Sequence, residues 1–383
     1  MLQIRRSLTP AMVYYAAFYG MIGVYQGYSS LYFAAHGFSH TSVGLLQALG
    51  PVAALAAQPF WGYAADRTGR TRILRLLLAL AAPAVLLYSF AGESLGKLAL
   101  FVALFSLFQT SLLPLSDALT LGQLRKEGKP FGPLRAVGTL AFAASGLIAG
   151  RVFEQHPEWF PYGTALLLAA GFLATWLLPA DRAAPRERPH PLRLLKDRGL
   201  LRLLAFSALL QGTLGAYFSF FPLYVQDTVG MSRAVLGKLY LVGSLTELPF
   251  LLAADRLASR WGTPKLLLGA ALIMAVRWGL LALFPCAPGA WSAQLLQGGT
   301  FVVVTFAMVT AVADRVPPEL RSSGQALLGA VSYGAARLTG SLVGGLLAQR
   351  LGIPAMFGIG GALCLMALLL AGKKLLQIQK GAG

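Results

Sequence analysis

Twelve apolar stretches, each close to the ~20 residues a helix needs to cross a bilayer, run almost end to end through this 383-residue chain. They fall near 8–34, 41–64, 73–91, 98–121, 133–150, 160–179, 201–226, 233–254, 266–285, 290–313, 325–349 and 352–372. In hydrocarbon every backbone polar group must be satisfied within the chain, so apolar runs of this length fold as helices. Charged residues make up only 12% of the sequence, against about 25% in soluble domains, and the mean hydropathy is +0.65. The expected fold class is an all-α membrane protein with twelve transmembrane helices.

The net charge of +18 raises the question of nucleic acid. Its distribution answers it. With the N-terminus in the cytosol and alternating crossings, 24 of the 32 basic residues fall on the cytoplasmic side. Only Lys97, Arg151, Arg233, Lys238 and Arg350 fall outside, while Arg135, Arg277 and Arg337 fall within the membrane. Such an asymmetry orients helices, with both termini cytoplasmic in a multi-pass protein of the cell inner membrane. No nucleic-acid partner is expected. The first apolar stretch is too long for a leader's core and reads as the first span. Cys286 and Cys364 lie far apart with no metal-ligand spacing, so neither a metal nor a disulfide is expected. No G-x-x-x-x-G-K-[ST] loop is present, and no cofactor is called for.

The intramembrane arginines recur in a repeated pattern. Phe131-Gly-Pro-Leu-Arg135-Ala-Val-Gly138 and Tyr333-Gly-Ala-Ala-Arg337-Leu-Thr-Gly340 both read aromatic-Gly-x-x-Arg-x-x-Gly, 202 positions apart. Gln58-Pro59-Phe60, followed by Asp66-Arg67, is echoed by Leu248-Pro249-Phe250, followed by Asp255-Arg256. Segment 180–198 is the one long polar break, rich in proline and mixed charge, as suits a solvated linker. The expected organisation is therefore a bundle over 1–179, a cytoplasmic linker over 180–198 and a second bundle over 199–383. Gly146-x-x-x-Gly150 and Gly340-x-x-x-Gly344 would let helices approach closely, for packing or for gating.

Gly62-Tyr-Ala-Ala-Asp66-Arg67-Thr-Gly69-Arg70, between the second and third spans, resembles the loop signature G-x-x-x-D-R-x-G-R of the major facilitator superfamily. That resemblance implies two six-helix bundles with pseudo-twofold symmetry. It also implies conformational or gating roles for Gly62, Asp66, Arg67, Gly69 and Arg70, and Arg337 joins them as a gating candidate. The competing reading is that the arginines of this loop merely enforce topology. A narrower resemblance, carried by Leu113-Pro-Leu-Ser-Asp117, the Arg135 motif, Leu209-Leu-Gln211-Gly, Val276-Arg277-Trp278 and Gln294-Leu-Leu-Gln297, is to the phenylpropionate permease family. That group is similar to the oligosaccharide:proton symporters of lactose permease type. There a carboxylate three residues after a proline works with an arginine eighteen positions later, and Pro114, Asp117 and Arg135 reproduce both spacings. The run Leu266–Arg277 likewise resembles the segment that carries a proton-linked arginine. One departure stands out: the symporters' His and Glu in the tenth span correspond here to Gln297 and Thr300, which carry no proton. The histidines His36, His40, His156 and His190 fall in loops or at span ends, leaving Asp117 and Glu247 as the deep titratable groups.

An arginine or carboxylate in hydrocarbon costs about 2.5–3.5 kcal/mol on insertion scales, so such groups mark candidate sites. Opposite charges should meet: Asp117 near Arg135, and Glu247 near Arg277. A substrate that competes for the arginine would release a carboxylate to take a proton; permanent structural ion pairs are the alternative. Along the first span Tyr14, Phe18, Met21, Tyr25, Tyr28 and Tyr32 form one face. Tyr25 and Tyr28 are expected to line a cavity, because a mid-span phenol wants a hydrogen-bond partner. Gln211, Tyr217 and Gln297 would complete the substrate site; Glu247 and Arg277, with Asp117, would couple protons. The chain then reads as a monomeric secondary transporter and proton symporter, with a small-molecule substrate, protons and the lipid bilayer as partners. The substrate would be an organic or aromatic acid, or sugar-like. Proton-driven efflux of drugs or metabolites is the alternative on the same fold, and a membrane receptor or enzyme the alternative of another class.

Overall fold

The structure, a computed structural model, describes residues 2–127, 132–178, 194, 196–317 and 320–380. Most of the expected linker 180–198 lies outside them, as does Phe131 of the first arginine motif. The described residues are helical almost throughout. In chain order the helices are α1 Leu2–Ala35, α2 His40–Thr68, α3 Arg70–Leu86, α4 Leu95–Gln109, α5 Leu112–Glu127, α6 Gly132–Gln155 and α7 Phe160–Ala174. There follow α8 Arg198–Leu223, α9 Arg233–Trp261, α10 Thr263–Leu283, α11 Ala287–Leu295, α12 Phe301–Arg315, α13 Arg321–Leu328, α14 Arg337–Leu351 and α15 Ile353–Lys380.

Among the described residues, ten helical stretches are long and apolar enough to cross a membrane. They coincide with the expected segments other than the first and the eleventh. The first is the helix α1, and the eleventh is α13 and α14 joined through π-helical residues Gly329–Ala336. Many outward side chains are large and apolar, Phe90, Leu166, Leu252, Leu283 and Leu369 among them, as a lipid-facing exterior requires.

Two expected spans are broken rather than continuous. The fourth stops at Gln109, where Thr110 turns its hydroxyl onto the Ser106 carbonyl at 2.8 Å, and resumes as α5 with Pro114 in its first turn. The tenth unwinds over Leu296–Thr300, around the helix-weak pair Gly298-Gly299. Its exposed backbone is satisfied locally, since the Gly298 N–H donates to Thr246 Oγ1 at 3.1 Å. Between α2 and α3 the chain reverses at Gly69, whose φ of 100° suits glycine alone.

The chain forms two compact units, Met1–Arg186 with Ser232–Leu241, and Glu187–Met231 with Val242–Gly383. In the first unit α1 lies against α6 and α7, and α3 against α7. In the second α8 lies against α14 and α15, and α10 against α15. Each unit thus seats its first helix on its fifth and sixth spans, and its third span on its sixth. α8 is the most enclosed of the ten stretches, which explains why the polar residues it carries are deeply buried.

Candidate functional site

In the first unit the polar centre is built on α1. Tyr15 Oη donates to Asp117 Oδ1 at 2.6 Å. One helical turn on, Arg135 Nη1 donates to Tyr19 Oη, and the guanidinium stands 4.8 Å from the centre of the Tyr19 ring. The Tyr15 and Tyr19 rings stack at 5.7 Å, so the carboxylate and the guanidinium converge on one pair of phenols. Asp117 lies one turn after Pro114 on α5, and Ser116 beside it shares a 2.7 Å hydrogen bond with Tyr14. Asp117 and Arg135 both keep partial exposure, whereas Tyr15 is fully enclosed.

Tyr25 and Tyr28 lie further along α1 and find their hydrogen-bond partners within the same unit. The Tyr25 hydroxyl meets that of Tyr88 at 3.1 Å, with its ring among Phe105 and Phe160. Tyr28 Oη donates to the Gly146 carbonyl at 2.7 Å and lies 3.4 Å from the Arg233 carbonyl. The stripe read from the sequence is thus the buried face of α1, and Tyr15 and Tyr19 beside it carry the contacts to charge. Their spacing of four, matched to two intramembrane charges in need of partners, was the available signal.

In the second unit Arg277 is fully enclosed. Its Nε donates to the Ala293 carbonyl at 2.9 Å and its Nη1 to Thr300 Oγ1 at 3.2 Å. The guanidinium lies 4.2 Å from the Tyr217 ring centre and 4.8 Å from that of Trp278. Glu247 accepts from Gln297 Nε2 at 3.1 Å, and the Thr300 hydroxyl donates to the Gln297 carbonyl at 2.6 Å. Gln297 thus stands between the two charges, its side-chain amide on Glu247 and its backbone carbonyl, through Thr300, on Arg277. The two residues that stand where the symporters have His and Glu are the neutral links between carboxylate and guanidinium. Gln294 Nε2 donates to Tyr217 Oη at 2.8 Å and completes this polar layer. The amide oxygens of Gln294 and Gln297 are buried there without a hydrogen-bond partner.

Gln211 on α8 sits elsewhere in this unit, accepting from Arg337 Nε at 3.0 Å. The repeated arginines thus occupy matching places. Each reaches a polar side chain on the first helix of its own half, Tyr19 for Arg135 and Gln211 for Arg337. Phe218, Phe301 and Tyr333 surround Arg337, a ring of aromatics that periodicity did not single out.

The loop signature is compact. Asp66 and Arg70 approach to 3.8 Å across Gly69, and Arg67 stands 4.6 Å above the Tyr63 ring. A Cβ at Gly62 would meet nothing within 4 Å. Outside the spans, Asp197 caps α8, accepting from Gly199 N at 2.8 Å and Leu200 N at 3.1 Å. Arg315 holds the same carboxylate in a fork, Nε at 2.9 Å and Nη2 at 2.8 Å. Burial alone would push this carboxyl up, but Arg315 and the two backbone N–H groups hold it below the usual range. Among the described residues no cluster of His, Cys, Asp or Glu could hold a metal ion.

The model of the MFS_1 like family matches residues 9–358. The maltose permease of Geobacillus stearothermophilus is 35% identical over 83% of this chain and 82% of its own. The protein described as "Probable 3-phenylpropionic acid transporter" of Escherichia coli (strain K12) is 28% identical over 91% of this chain and 95% of its own. Among solved structures, a mutant of the nucleoside transporter NupG superposes with a TM-score of 0.86 at 17% identity. That superposition covers 96% of this chain and 99% of the other, and it speaks to the fold alone.

Proposed function

The chain belongs to the MFS_1 like family of major facilitator transporters, and from that premise we propose that it imports a small organic solute together with protons. It is a multi-pass membrane transporter of small solutes and not an enzyme. In the proposed arrangement it lies in the cell inner membrane with twelve spans and cytoplasmic termini. Bundles over 1–179 and 199–383, joined by the linker 180–198, would alternate access to a site near the midplane. The loop residues Gly62, Asp66, Arg67, Gly69 and Arg70 would serve that conformational change.

The observation that carries the reading is the meeting of Asp117 and Arg135 on the stacked Tyr15 and Tyr19. A carboxylate and a guanidinium that share phenolic partners can exchange them for the hydroxyls or the carboxylate of a solute. These four residues would bind substrate in the first unit. Glu247 would carry the proton. Its link through Gln297 and Thr300 to Arg277 lets a change of charge on the carboxylate be felt at the guanidinium.

Reconstitution into liposomes holding a pH-sensitive dye tests this. Solute addition is expected to drive proton entry in the wild-type protein. Glu247→Gln should abolish uphill uptake while leaving solute counterflow intact. Uphill uptake that survives the substitution refutes the assignment of the proton to Glu247.

A further inference from the structure

Arg337 opens α14 directly after the π-helical residues Gly329–Ala336. Its Nε is engaged by Gln211 Oε1, and three ring centres lie around the guanidinium carbon: Tyr333 at 5.1 Å, Phe218 at 5.3 Å and Phe301 at 5.6 Å. Among the described residues no carboxylate pairs with this cation. The network leaves two donors over. Arg337 Nη2 is covered by protein and has no hydrogen-bond partner. Gln211 is fully buried, and with its oxygen committed to Arg337 its Nε2 also has none. Arg337 and all three rings keep partial exposure, while the two idle donors themselves are covered, so a ligand reaches them only when the cage opens.

A guanidinium without a counter-charge inside a membrane-length segment is costly, and a native chain keeps one where a ligand supplies the missing charge. We infer that Arg337 and Gln211 form an anion site that takes the carboxylate of an organic monocarboxylate, with the acid's apolar body against Phe218, Phe301 and Tyr333. The inference rests on the transporter reading above and narrows its substrate class. A carboxylate offers two acceptor oxygens to the two idle N–H donors and neutralises the cation. The hydroxyls of a neutral sugar would satisfy the donors and leave the charge uncompensated. Aromatic faces around a guanidinium also suit a ring or alkyl chain beside it.

The test compares isoelectronic pairs on the purified full-length protein. Benzoate, 3-phenylpropionate and octanoate, each alongside its neutral amide, are titrated by calorimetry at pH 7. At least one acid should bind about tenfold or more tighter than its amide, as expected for a charge-assisted fork. Arg337→Gln, a neutral side chain that can still hydrogen-bond Gln211, should erase that preference. Acids and amides that bind alike to the wild-type protein overturn the inference, and this arm needs no variant to fold. An acid preference that persists in Arg337→Gln overturns it too. Counterflow of maltose and uridine in proteoliposomes separates the two levels. Movement of a neutral solute without any acid preference sinks the anion site and leaves the transporter reading standing. Acid-selective binding with no movement of maltose, uridine or the acid supports the site and sinks transport.

Discussion

Glu154, near the end of α6, accepts the backbone N–H of Ala234 through Oε2 at 3.2 Å and so caps the first turn of α9. The neighbouring Arg233 returns the contact, its Nη1 donating to the Phe153 carbonyl at 2.6 Å. Tyr28 reaches between them to Gly146 and Arg233. This clasp explains why Ser232–Leu241 belongs with the first unit although the rest of α9 belongs with the second. If the segment must leave that place during transport, the strength of the clasp sets how often it does.

Removing the cap should loosen the clasp. Glu154→Ala leaves an orphan N–H at a helix start and deletes a negative charge placed where the dipole favours it, a loss of about 1 kcal/mol. The expected result is a lower thermal midpoint and faster labelling of a cysteine introduced at Val235. Glu154→Gln, which keeps an acceptor, should show the smaller change of the two.

The close approach itself depends on glycine. A Cβ at Gly237 would come within 2.8 Å of the Gly146 carbonyl, which is backbone and cannot swing away. Gly237→Val is therefore expected to separate α9 from α6 and to cost about 1–3 kcal/mol as overpacking. The same cysteine-labelling measurement reads it, and an unchanged rate would show that the contact is not held closed.

Asp197 predicts an acid-sensitive step. Its folded pKa lies below the ordinary carboxylate value near ~3.9, because Arg315 and two backbone N–H groups favour the charged form. A depressed pKa contributes stability above the unfolded value, and that contribution is lost as pH falls through the folded value. The thermal midpoint should therefore hold from neutral pH down to about 5 and then fall as the pH drops below ~4. Asp197→Asn should flatten that dependence while keeping the cap, because its amide oxygen still accepts from the Gly199 and Leu200 N–H groups; what it loses is the charged fork to Arg315.

The fold was legible because hydrocarbon leaves few choices: run length fixed where helices lie, and the aromatic-Gly-x-x-Arg-x-x-Gly repeat fixed which helices correspond. The breaks in the fourth and tenth segments were less so. Pro114 and Gly298-Gly299 are visible in the sequence, but an apolar run hides an interruption that is satisfied internally. At the sites, the sequence named the charges and, in the second unit, the neutral Gln297 and Thr300 between them, but not the phenols that meet Asp117 and Arg135 in the first. Tyr15, Tyr19 and the ring around Arg337 lie off the apolar stripe, and periodicity cannot tell which phenol meets a carboxylate. Tyr25 and Tyr28 were expected to line a cavity because a mid-span phenol wants a hydrogen-bond partner, and their hydroxyls meet Tyr88 and the Gly146 carbonyl.

Thr300 joins the two charges of the second unit, accepting from Arg277 Nη1 and donating to the Gln297 carbonyl. Thr300→Val keeps the shape and removes both bonds. A buried guanidinium donor left without its acceptor costs about 1–3 kcal/mol, so the midpoint should fall. If the link to Glu247 matters for coupling, the same variant should shift the pH dependence of uptake while Thr300→Ser preserves it. Identical pH profiles in all three proteins would assign the run of hydrogen bonds to stability alone.

Tyr15 and Asp117 give the sharpest separation of binding from folding. The phenol donates to a carboxylate at 2.6 Å, and a hydrogen bond to a charged group contributes about 1.5–3 kcal/mol. Tyr15→Phe removes the donor and leaves the carboxylate, so the unliganded protein should lose stability. Asp117→Asn keeps an acceptor for Tyr15 and removes the charge, so its effect on stability should be smaller. Their order should reverse for transport. A substrate that exchanges places with the phenol still finds a carboxylate in Tyr15→Phe, which is expected to retain counterflow. In Asp117→Asn counterflow should weaken, with half-saturation rising about tenfold or more for a lost charged contact. If the two variants rank the same way in thermal midpoint and in counterflow, Asp117 holds the bundle together and does not meet the solute.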